Sequence, residues 1–458
     1  MLTDLHFDPF YDPAKLSELR RASITAWPAI LSRPDSATRL STFSQIQSAC
    51  GVRGTDSPWP LVYASLRQAK QQQPAPLFVT VSGDLLAHGF NCKFQKLAPS
   101  ATPAENSAFA AKTLAFLSQQ IHSFYAAVPV YLTLGNNDSG CADYFETPNS
   151  AFLKSAAASF AATIPDPETR ASLANSLTRL GDYSVMLPGA MHNTRLVVLQ
   201  NIFESLAYRG CNNEPNGAPA AEQIAWLRKQ LTEARANGEL VWVMSHIPPG
   251  IDVYNTYHRY LFAPGEACNV KQPQTFLSST ALGDTLAEFG DVVRLLILGH
   301  THMDEIKLLH GPDGKAVPVK LVPSISPIFG NEPSFLVAEV NPQTATIKDY
   351  EIYSASNAQG EGWHREYRYS DVYHLPDFSA KSVDQLTLTL IDDRSGEDET
   401  SRVYERYFLS GGGTFAALGL QRLWPAYSCS LREFDPAAFR RCMCPGAAAQ
   451  PAPAPATP

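Results

Sequence analysis

The sequence is poor in charge and has no excess of basic residues. Only 17% of its 458 residues are Asp, Glu, Lys or Arg, against about 25% in an average globular domain. There are 44 acidic and 36 basic residues, which gives a net charge of −8. The basic surface that tracks nucleic-acid phosphates is not indicated. No run of about 18 apolar residues occurs, so a membrane-spanning helix is not expected.

Several catalytic signatures are also absent. The chain has no HExxH, no GxxxxGK[ST] and no GxSxG sequence, which argues against a zincin, a P-loop NTPase and an α/β-hydrolase. The start, MLTDLHFDPF, has neither the basic beginning nor the apolar core of a signal peptide. It is typical of the middle of a core strand. We therefore expect that a presequence has been removed or left out, and that the protein is secreted or periplasmic.

Strand-like and helical patterns alternate up to about residue 315. The apolar runs 77–82, 128–134, 195–200, 240–245 and 292–298 favour strands that are buried on both faces. Residues 106–125 and 220–236 have helical spacing, and Asn237-Gly238 is a typical helix stop. The alternation predicts a layered α/β core.

The pattern changes twice towards the C-terminus. Residues 317–322, 334–340 and 345–353 are predicted to form hairpins of a second sheet. From about residue 376 the composition becomes polar and mainly helical. We expect a core of residues 1–375, a C-terminal, mainly helical, cysteine-bearing module of residues 376–444, and a disordered Pro/Ala tail of residues 445–458.

Side chains that can bind metals stand at five places where an apolar strand is predicted to end. They are Asp4-Leu5-His6, Gly83-Asp84, Gly135-Asn136-Asn137-Asp138, His246 and Gly299-His300-Thr301-His302. Ligands bind beyond the carboxyl ends of strands in open α/β sheets, so we expect these side chains to share one crevice. In Asp4-Leu5-His6 and in His300-Thr301-His302 one residue separates two candidate ligands. The two side chains of each pair would therefore lie on the same side of an extended segment. One such residue is more often a turn residue or a core histidine, but five together favour a metal site.

This order of motifs resembles the calcineurin-like metallophosphoesterases, whose pattern is DxH, GD, GNH(D/E), H and GHxH. The sequence is more similar to the acid sphingomyelinase-like phosphodiesterase branch, in TDLHFDPFY, GDLLAH, VWVMSHIPPG, GHTHMDE and PSISPIFGNEPSF. The resemblance implies a four-layer α/β/β/α metallophosphatase sandwich as the catalytic domain. It also implies a small phosphate ester as substrate, a phosphodiester or a phosphomonoester, hydrolysed by attack of metal-bound hydroxide.

The same resemblance implies two divalent metal ions and their ligands. One ion would be held by Asp4, His6, Asp84 and His302, and the other by Asp84, Asn136, His246 and His300, with Asp84 shared. Imidazole and carboxylate suit zinc, with manganese or iron as alternatives. A non-catalytic binding protein on this fold would be expected to lack ligands, and all seven positions are occupied.

One position departs from the pattern, because Asn137 stands where the family commonly has the histidine of GNH. Asparagine can donate a hydrogen bond to a phosphoryl oxygen but cannot deliver a proton. His88 in GDLLAH matches a second active-site histidine of the branch and is the candidate acid. The alternative is a pyrophosphate or polyphosphate substrate, whose leaving group needs little protonation. Asp138 is expected to orient neighbouring ligands.

The eight cysteines allow 105 pairings, so their connectivity is open. Cys92 and Cys141 each follow a motif loop on the same rim, which makes them plausible disulfide partners. Weaker expectations are Cys211 with Cys268, and Cys429 with Cys442 or Cys444. Membrane-surface contact is expected only if the substrate is a lipid.

Overall fold

The structure is a computed structural model that describes residues 1–411 and 414–445. It contains eleven strands within this part of the chain: β1 (Val79–Val81), β2 (Val130–Leu132), β3 (Tyr183–Met186), β4 (Thr194–Val198), β5 (Leu240–Met244), β6 (Val293–Leu298), β7 (Glu305–His310), β8 (Ala316–Leu321), β9 (Ser334–Asn341), β10 (Thr346–Ser354) and β11 (His364–Arg368).

Seventeen α-helices are found in the same residues: α1 (Leu16–Arg21), α2 (Trp27–Leu31), α3 (Arg39–Ala49), α4 (Trp59–Gln72), α5 (Phe90–Leu97), α6 (Pro103–Phe124), α7 (Ala151–Ala161), α8 (Pro167–Leu180), α9 (Ala218–Asn237), α10 (Val253–Tyr257), α11 (Ala281–Glu288), α12 (Tyr369–Tyr373), α13 (Ala380–Asp392), α14 (Glu399–Phe408), α15 (Thr414–Arg422), α16 (Trp424–Ser430) and α17 (Pro436–Met443). None of the described helices is long and apolar enough to cross a membrane.

Local signals explain where the long helices begin and end. Thr102 and Glu105 form a capping box at the start of α6, with Pro103 as its first residue. At the other end of a helix, Gly238 adopts φ 69° after α9, as the predicted stop requires. Both predicted helices are therefore present.

The larger sheet has the strand order β3-β4-β5-β6-β8-β7, in which β4, β5, β6 and β8 are parallel neighbours. Side chains alternate along these strands. Val241 and Val243 of β5 share one apolar cluster with Leu227 and Leu231 of α9. Trp242 of β5 belongs to the other cluster, and its indole nitrogen donates to the carbonyl of Ala345 at 2.6 Å. The two faces of this sheet thus belong to different layers.

The second sheet is built from two pieces that the first residues of the chain join. β1 and β2 are parallel, and β9, β10 and β11 form an antiparallel set. Leu2 donates to Thr80 at 2.9 Å, and Leu336 of β9 donates to Met1 at 3.1 Å. Helices α4 and α6 share the apolar cluster of this sheet. The layer order is helices, sheet, sheet, helices, which confirms the predicted α/β/β/α sandwich.

Two sequence predictions about strands are wrong. Residues 317–322 were expected in the second sheet, but β8 pairs with β6 and β7 in the first. Residues 1–7 form only isolated bridges, Leu2 with Val81 and Phe7 with Leu86, because Asp4 and His6 interrupt the extended backbone with φ values of 46° and 40°. The pattern of apolar residues does not encode either outcome.

The C-terminal region is helical, as predicted. Helices α13 to α17 follow β11, and α13 packs against β7 and β8. The boundary at residue 376 stays a prediction. The predicted tail lies, apart from its first residue, outside the described residues.

All eight cysteines are paired, as Cys50–Cys92, Cys141–Cys211, Cys268–Cys444 and Cys429–Cys442. The last pair confirms an expectation. The expected pairs Cys92–Cys141 and Cys211–Cys268 are wrong. Cys92 lies in α5, which packs on α3 next to Cys50, and the segment after Cys141 runs beside the segment of Cys211 through the Phe145–Arg209 bridge. Pairing is decided by these neighbours and not by distance from the motif loops.

Burial of Glu146 should make stability depend on pH. Glu146 is fully buried, one carboxyl oxygen has no hydrogen-bond partner, and burial raises its pKa to about 7. The folded-state pKa lies above the unfolded value of about 4.5, so stability is retained below pH 4.5 and is lost as the pH rises towards 7. The variant Glu146→Gln cannot lose a proton. We expect its free energy of unfolding, relative to wild type, to increase by about 3 kcal/mol between pH 4.5 and pH 8.

Urea denaturation at both pH values measures this difference. Exposed Glu168→Gln in the first turn of α8 is the control. A constant difference between wild type and Glu146→Gln across the range would contradict the prediction.

Candidate metal centre

Four strand ends and the first residues of the chain bring the predicted ligands together. Asp84 follows β1, Asn136 follows β2, His246 follows β5 and His300 follows β6, each at the carboxyl end of a strand. All seven predicted ligands lie in this one crevice, and each of them is within 4 Å of another ligand through a side-chain hydrogen bond or ion-pair contact. The contacts are His6–Asp4, His6–Asp84, His6–His302, His246–Asp84, His302–Asp4 and His300–Asn136.

Five of the seven ligands have a left-handed backbone. Asp4, His6, Asp84, His300 and His302 have φ values of 46°, 40°, 52°, 75° and 66°. L-residues pay about 1–2 kcal/mol for this conformation, and such strain clusters at functional sites. The expectation that Asp4 and His6, and likewise His300 and His302, lie on one side of an extended segment is therefore wrong. The side chains converge because the backbone turns at each ligand.

Asp84 lies at the middle of the cluster. Its Oδ2 is 3.4 Å from Nε2 of His6 and 3.2 Å from Nε2 of His246. Asp4 has a similar position, with Oδ1 3.4 Å from Nε2 of His302 and 3.7 Å from Nε2 of His6. Both carboxyl groups are almost completely buried. Asp84 thus contacts the imidazoles of His6 and His246, and Asp4 contacts those of His302 and His6.

The second nitrogen of three histidines is held by the protein. Nδ1 of His6 contacts the carbonyl of Leu86 at 2.9 Å, and Nδ1 of His246 contacts that of Ser82 at 2.7 Å. Nδ1 of His302 contacts Oγ of Ser324 at 3.0 Å. Such contacts fix the ring orientation and leave Nε2 free for a ligand bond.

The donor set fits metal ions. Nε2 of His246 is buried and has no hydrogen-bond partner among the described residues. Nε2 of His6 and Nε2 of His302 face each other at 3.1 Å, with two carboxylates beside them. Mixed imidazole and carboxylate donors around one crevice are typical of zinc and related divalent ions. Three groups in the described residues could hold an ion: Asp4, His6 and Asp84; Asp84, His246 and His300; and His6, His88 and His302.

The site is electrostatically coupled. Burial alone would lower the pKa of His6, but Asp84, Asp4 and Asp56 raise it to about 10. Asp84 and Asp4 likewise overcome the effect of burial on His246 and raise its pKa to about 9. Burial lowers the pKa of His300 to about 4 and that of His302 to about 3. A cation that binds here therefore displaces protons, and its affinity falls at low pH.

Asn136 is oriented by a residue that the sequence did not reveal. Its Nδ2 donates to Asp143 at 2.8 Å, which turns Oδ1 towards Nδ1 of His300 at 2.9 Å. Asn201, directly after the apolar run 195–200, holds a second loop. Its Oδ1 accepts from the backbone nitrogens of His246 and Ile247 at 3.2 and 3.0 Å, which holds the turn that carries His246. Asp143 has no spacing or motif that marks it in the sequence.

Asn137 points at the carboxylate of Asp84. Its Nδ2 donates to Oδ2 of Asp84 at 2.9 Å, and its backbone nitrogen donates to Oδ1 at 2.9 Å. The amide is thus engaged with Asp84. In this structure the amide of Asn137 holds a predicted metal ligand.

His88 lies beside the ligands and is held by Asp56. Its ring stacks on that of His6 with centroids 4.0 Å apart, and its side chain is 22% exposed. Nδ1 contacts Oδ1 of Asp56 at 3.0 Å, and the backbone nitrogen of His88 donates to Oδ2 at 2.9 Å. Asp56 is fully buried and also accepts from Ser326 at 3.1 Å. Asp56 was not singled out in the sequence, where TDSPW is typical of a turn.

Aromatic rings flank the crevice on two sides. Phe329, which is 51% exposed, lies edge-on to His302 at 4.6 Å and to His88 at 5.7 Å. Phe276 lies edge-on to His300 at 5.4 Å on the other side. The crevice is therefore bordered by an apolar ring on each of two sides.

Asp138 ties the two strand-end loops together. Oδ1 accepts from the backbone nitrogens of Leu85 and Leu86 at 2.8 and 2.9 Å, and Oδ2 accepts from Gly135 at 2.9 Å. Burial and the neighbouring Asp84 raise its pKa to about 6. The carboxylate of Asp138 thus holds the loop that carries Asp84 and the loop that carries Asn136.

We expect Asp138→Asn to loosen both loops, because an amide NH₂ would face backbone donors. Losing these acceptors should cost about 2–3 kcal/mol of unfolding free energy at pH 8 and weaken metal binding. Urea denaturation and metal analysis measure the two effects. Asp166→Asn is the matched control, since Asp166 caps α8 from the surface and asparagine caps equally well. Equal stability of both variants would contradict the role of Asp138.

The chain is similar in sequence to known phosphoesterases. The model of the calcineurin-like phosphoesterase family matches residues 2–304. The chain is 26% identical to the human acid sphingomyelinase-like phosphodiesterase 3b over 411 residues, which covers 85% of this chain and 80% of the relative. It is 23% identical to the human cyclic GMP-AMP phosphodiesterase SMPDL3A, covering 89% and 82%. Sphingomyelinase phosphodiesterase D of Dictyostelium discoideum is 24% identical, covering 73% and 70%.

Proposed function

We propose that this chain, which belongs to the calcineurin-like phosphoesterase family and is a metal-dependent phosphoester hydrolase, cleaves a phosphodiester with a two-metal centre. The family implies divalent metals, and the clustered carboxylates and imidazoles are suitable ligands. The histidine content favours zinc over manganese or iron. The relatives named as phosphodiesterases support a diester substrate.

Each metal position uses four of the seven ligands. Asp4, His6, Asp84 and His302 would hold the first ion, and Asp84, Asn136, His246 and His300 the second. The position of Asp84 between His6 and His246 supports its role as the shared ligand. When bound, a pair of divalent ions supplies an activated water and neutralises charge on the phosphoryl oxygens.

His88 is the proposed general acid. Its pairing with Asp56 is the main observation that supports hydrolysis of a phosphodiester. An alkoxide leaving group needs a proton, and a positioned acid typically contributes 10²–10⁴-fold. His88 lies beside the ligands of the first ion, is partly exposed, and has Nδ1 fixed by a buried carboxylate. That contact leaves Nε2 to face the leaving group. Asp56 acts through His88 as a positioning residue.

Pyrophosphate or polyphosphate hydrolysis is the second candidate. Asn137 replaces the histidine of GNH, and its amide is bonded to Asp84. A centre without an acid at this position suits a phosphate leaving group. The His88–Asp56 pair supports the diester, because it provides the acid that a pyrophosphate would not need.

The compartment follows from the disulfides. All eight cysteines are paired within the described residues, and disulfides persist in oxidising environments. We infer that the protein is secreted or periplasmic.

The role of His88 can be tested with leaving groups of different basicity. We expect His88→Ala to reduce kcat for an alkyl phosphodiester by about 10²–10³, and for bis-p-nitrophenyl phosphate by less than tenfold, because p-nitrophenolate leaves with little protonation. Asp56→Asn should lower kcat for the alkyl ester with KM unchanged. The matched control is His192→Ala, an exposed histidine at the end of a 3₁₀ turn.

Equal losses of His88→Ala on both esters would remove the acid role. Faster hydrolysis of polyphosphate than of either ester by wild type, with His88→Ala unaffected, would favour the second candidate.

Metal content tests the two-metal centre itself. We expect about two zinc equivalents per chain by mass spectrometry, and loss of activity on chelation that added zinc restores. Asp84→Asn should retain less than one equivalent, because both positions use this carboxylate. His258→Ala, an exposed histidine, should retain two. One equivalent in wild type, or two in Asp84→Asn, would contradict the assignment.

A further inference from the structure

Four buried side chains with oxygen atoms, none of them a predicted metal ligand, lie where the segments after α8 and β4 pack against the start of α9. Asp182 follows α8, Gln200 follows β4, Glu204 ends the 3₁₀ turn Asn201–Glu204, and Gln223 lies in the first turns of α9. Their exposed fractions are 5%, 0%, 2% and 0%. Residues with these polar groups are rarely buried unless they are paired.

Hydrogen bonds join three of the four. Oδ1 of Asp182 accepts from the backbone nitrogen of Gln200 at 3.0 Å and from Nε2 of Gln223 at 2.6 Å. Nε2 of Gln223 also donates to the carbonyl of Gln200 at 3.1 Å. The amide nitrogen of Gln223 is thus used twice, and its orientation is set. Its oxygen is turned away from these partners.

Four side-chain oxygens in this group have no hydrogen-bond partner among the described residues. They are Oε1 of Gln200, Oε1 of Gln223 and both carboxyl oxygens of Glu204. A buried polar group without a partner costs about 1–3 kcal/mol, and a charged one costs more. Native proteins keep few such groups, and a missing ion or water is a usual reason.

No positive side chain compensates the two carboxyl groups. Within residues 1–411 and 414–445, no Lys, Arg or His nitrogen forms an ion pair with Asp182 or Glu204. Arg179, close in sequence, pairs with Glu222 at the surface. Burial and Asp182 together raise the pKa of Glu204 to about 8, and burial also raises the pKa of Asp182. Both carboxylates would gain from a neighbouring cation.

Gly181 leaves room for the amide of Gln200. A Cβ at this position would lie 2.3 Å from Oε1 of Gln200 and 2.7 Å from its Cβ. The backbone there has φ 83°, which glycine adopts without strain. Glu204 also forms part of the wall of a surface groove of about 570 Å³, together with Tyr208, Ala220 and Ser278.

We propose that Asp182, Gln200, Glu204 and Gln223 form a binding site for a hard divalent cation, with calcium as the expected ion. Every donor is a carboxylate or amide oxygen, the ligand type that calcium prefers, whereas zinc is drawn to the imidazoles of the other centre. The ion would connect β4, the turn of Asn201 and α9. Because Asn201 holds the turn of His246, the site would stabilise the frame of the catalytic centre without touching the substrate.

The experiment uses the zinc-loaded full chain and calcium chloride as the probe. Isothermal titration and thermal unfolding at pH 7.5 should show one calcium ion per chain, and Tm should rise by about 3 °C at one hundred times Kd. Glu204→Gln and Gln200→Met should bind calcium at least tenfold more weakly. Glu222→Gln is the matched control, since it removes a surface carboxylate near Asp182 and should bind calcium like wild type.

The Tm of Glu204→Gln without calcium shows whether this variant is folded. It should equal or exceed that of wild type, because an uncompensated buried acid is removed, and hydrolysis of bis-p-nitrophenyl phosphate should be unchanged. Calcium binding by wild type that Glu204→Gln retains in full would overturn the proposal. So would a wild type that binds no calcium; a Glu204→Gln gain in Tm in that case would mean that the two carboxyl groups share a proton.

Discussion

The structure is organised around the burial of two carboxylates, Asp4 and Asp84, among four imidazoles. Burying such charges costs several kcal/mol each unless partners compensate them. The fold supplies the seven predicted ligands from five separate segments, and five of these ligands adopt a left-handed backbone. Strain, desolvation and like-charge contacts are thus concentrated in one crevice. Divalent cations relieve these costs, which is why the site is best understood as a metal centre.

The sandwich makes this concentration possible. Parallel strands end at the same edge of each sheet, and the two sheets face each other through one large apolar cluster that includes Trp242. The first residues of the chain complete the second sheet between Thr80 and Leu336, so Asp4 and His6 enter the crevice from its middle. Around the ligands, Asp138, Asp143 and Asn201 hold the loops through hydrogen bonds to backbone or amide groups. The geometry of the centre therefore depends on residues that are not themselves predicted ligands.

Four disulfides and a second polar cluster support the periphery. Cys50–Cys92 and Cys141–Cys211 fasten the segments that follow the Asp84 and Asn136 loops. The oxygen-rich group around Glu204 lies behind the turn of Asn201, one step further from the ligands. The disulfides and the group around Glu204 thus both hold segments that carry or contact a predicted ligand, although neither contacts that ligand directly. A large, charge-poor chain such as this one can accommodate these buried polar groups because its apolar core is extensive.

Much of the fold and of the centre follows from the sequence alone. The five apolar runs that form β1, β2, β4, β5 and β6, the two long helices α6 and α9, and the convergence of the seven candidate ligands on one crevice were predicted, because strand burial and ligand chemistry act on neighbouring residues. The sequence also determined that Asn137 cannot be the acid. Only the tertiary structure decided what Asn137 does instead, which carboxylate orients His88, how the cysteines pair, and that β8 joins the first sheet. Asp56, Asp143 and Asn201 gain their roles from contacts across 32, 7 and 45 residues. No local pattern encodes such contacts, since they arise only when packing brings the segments together.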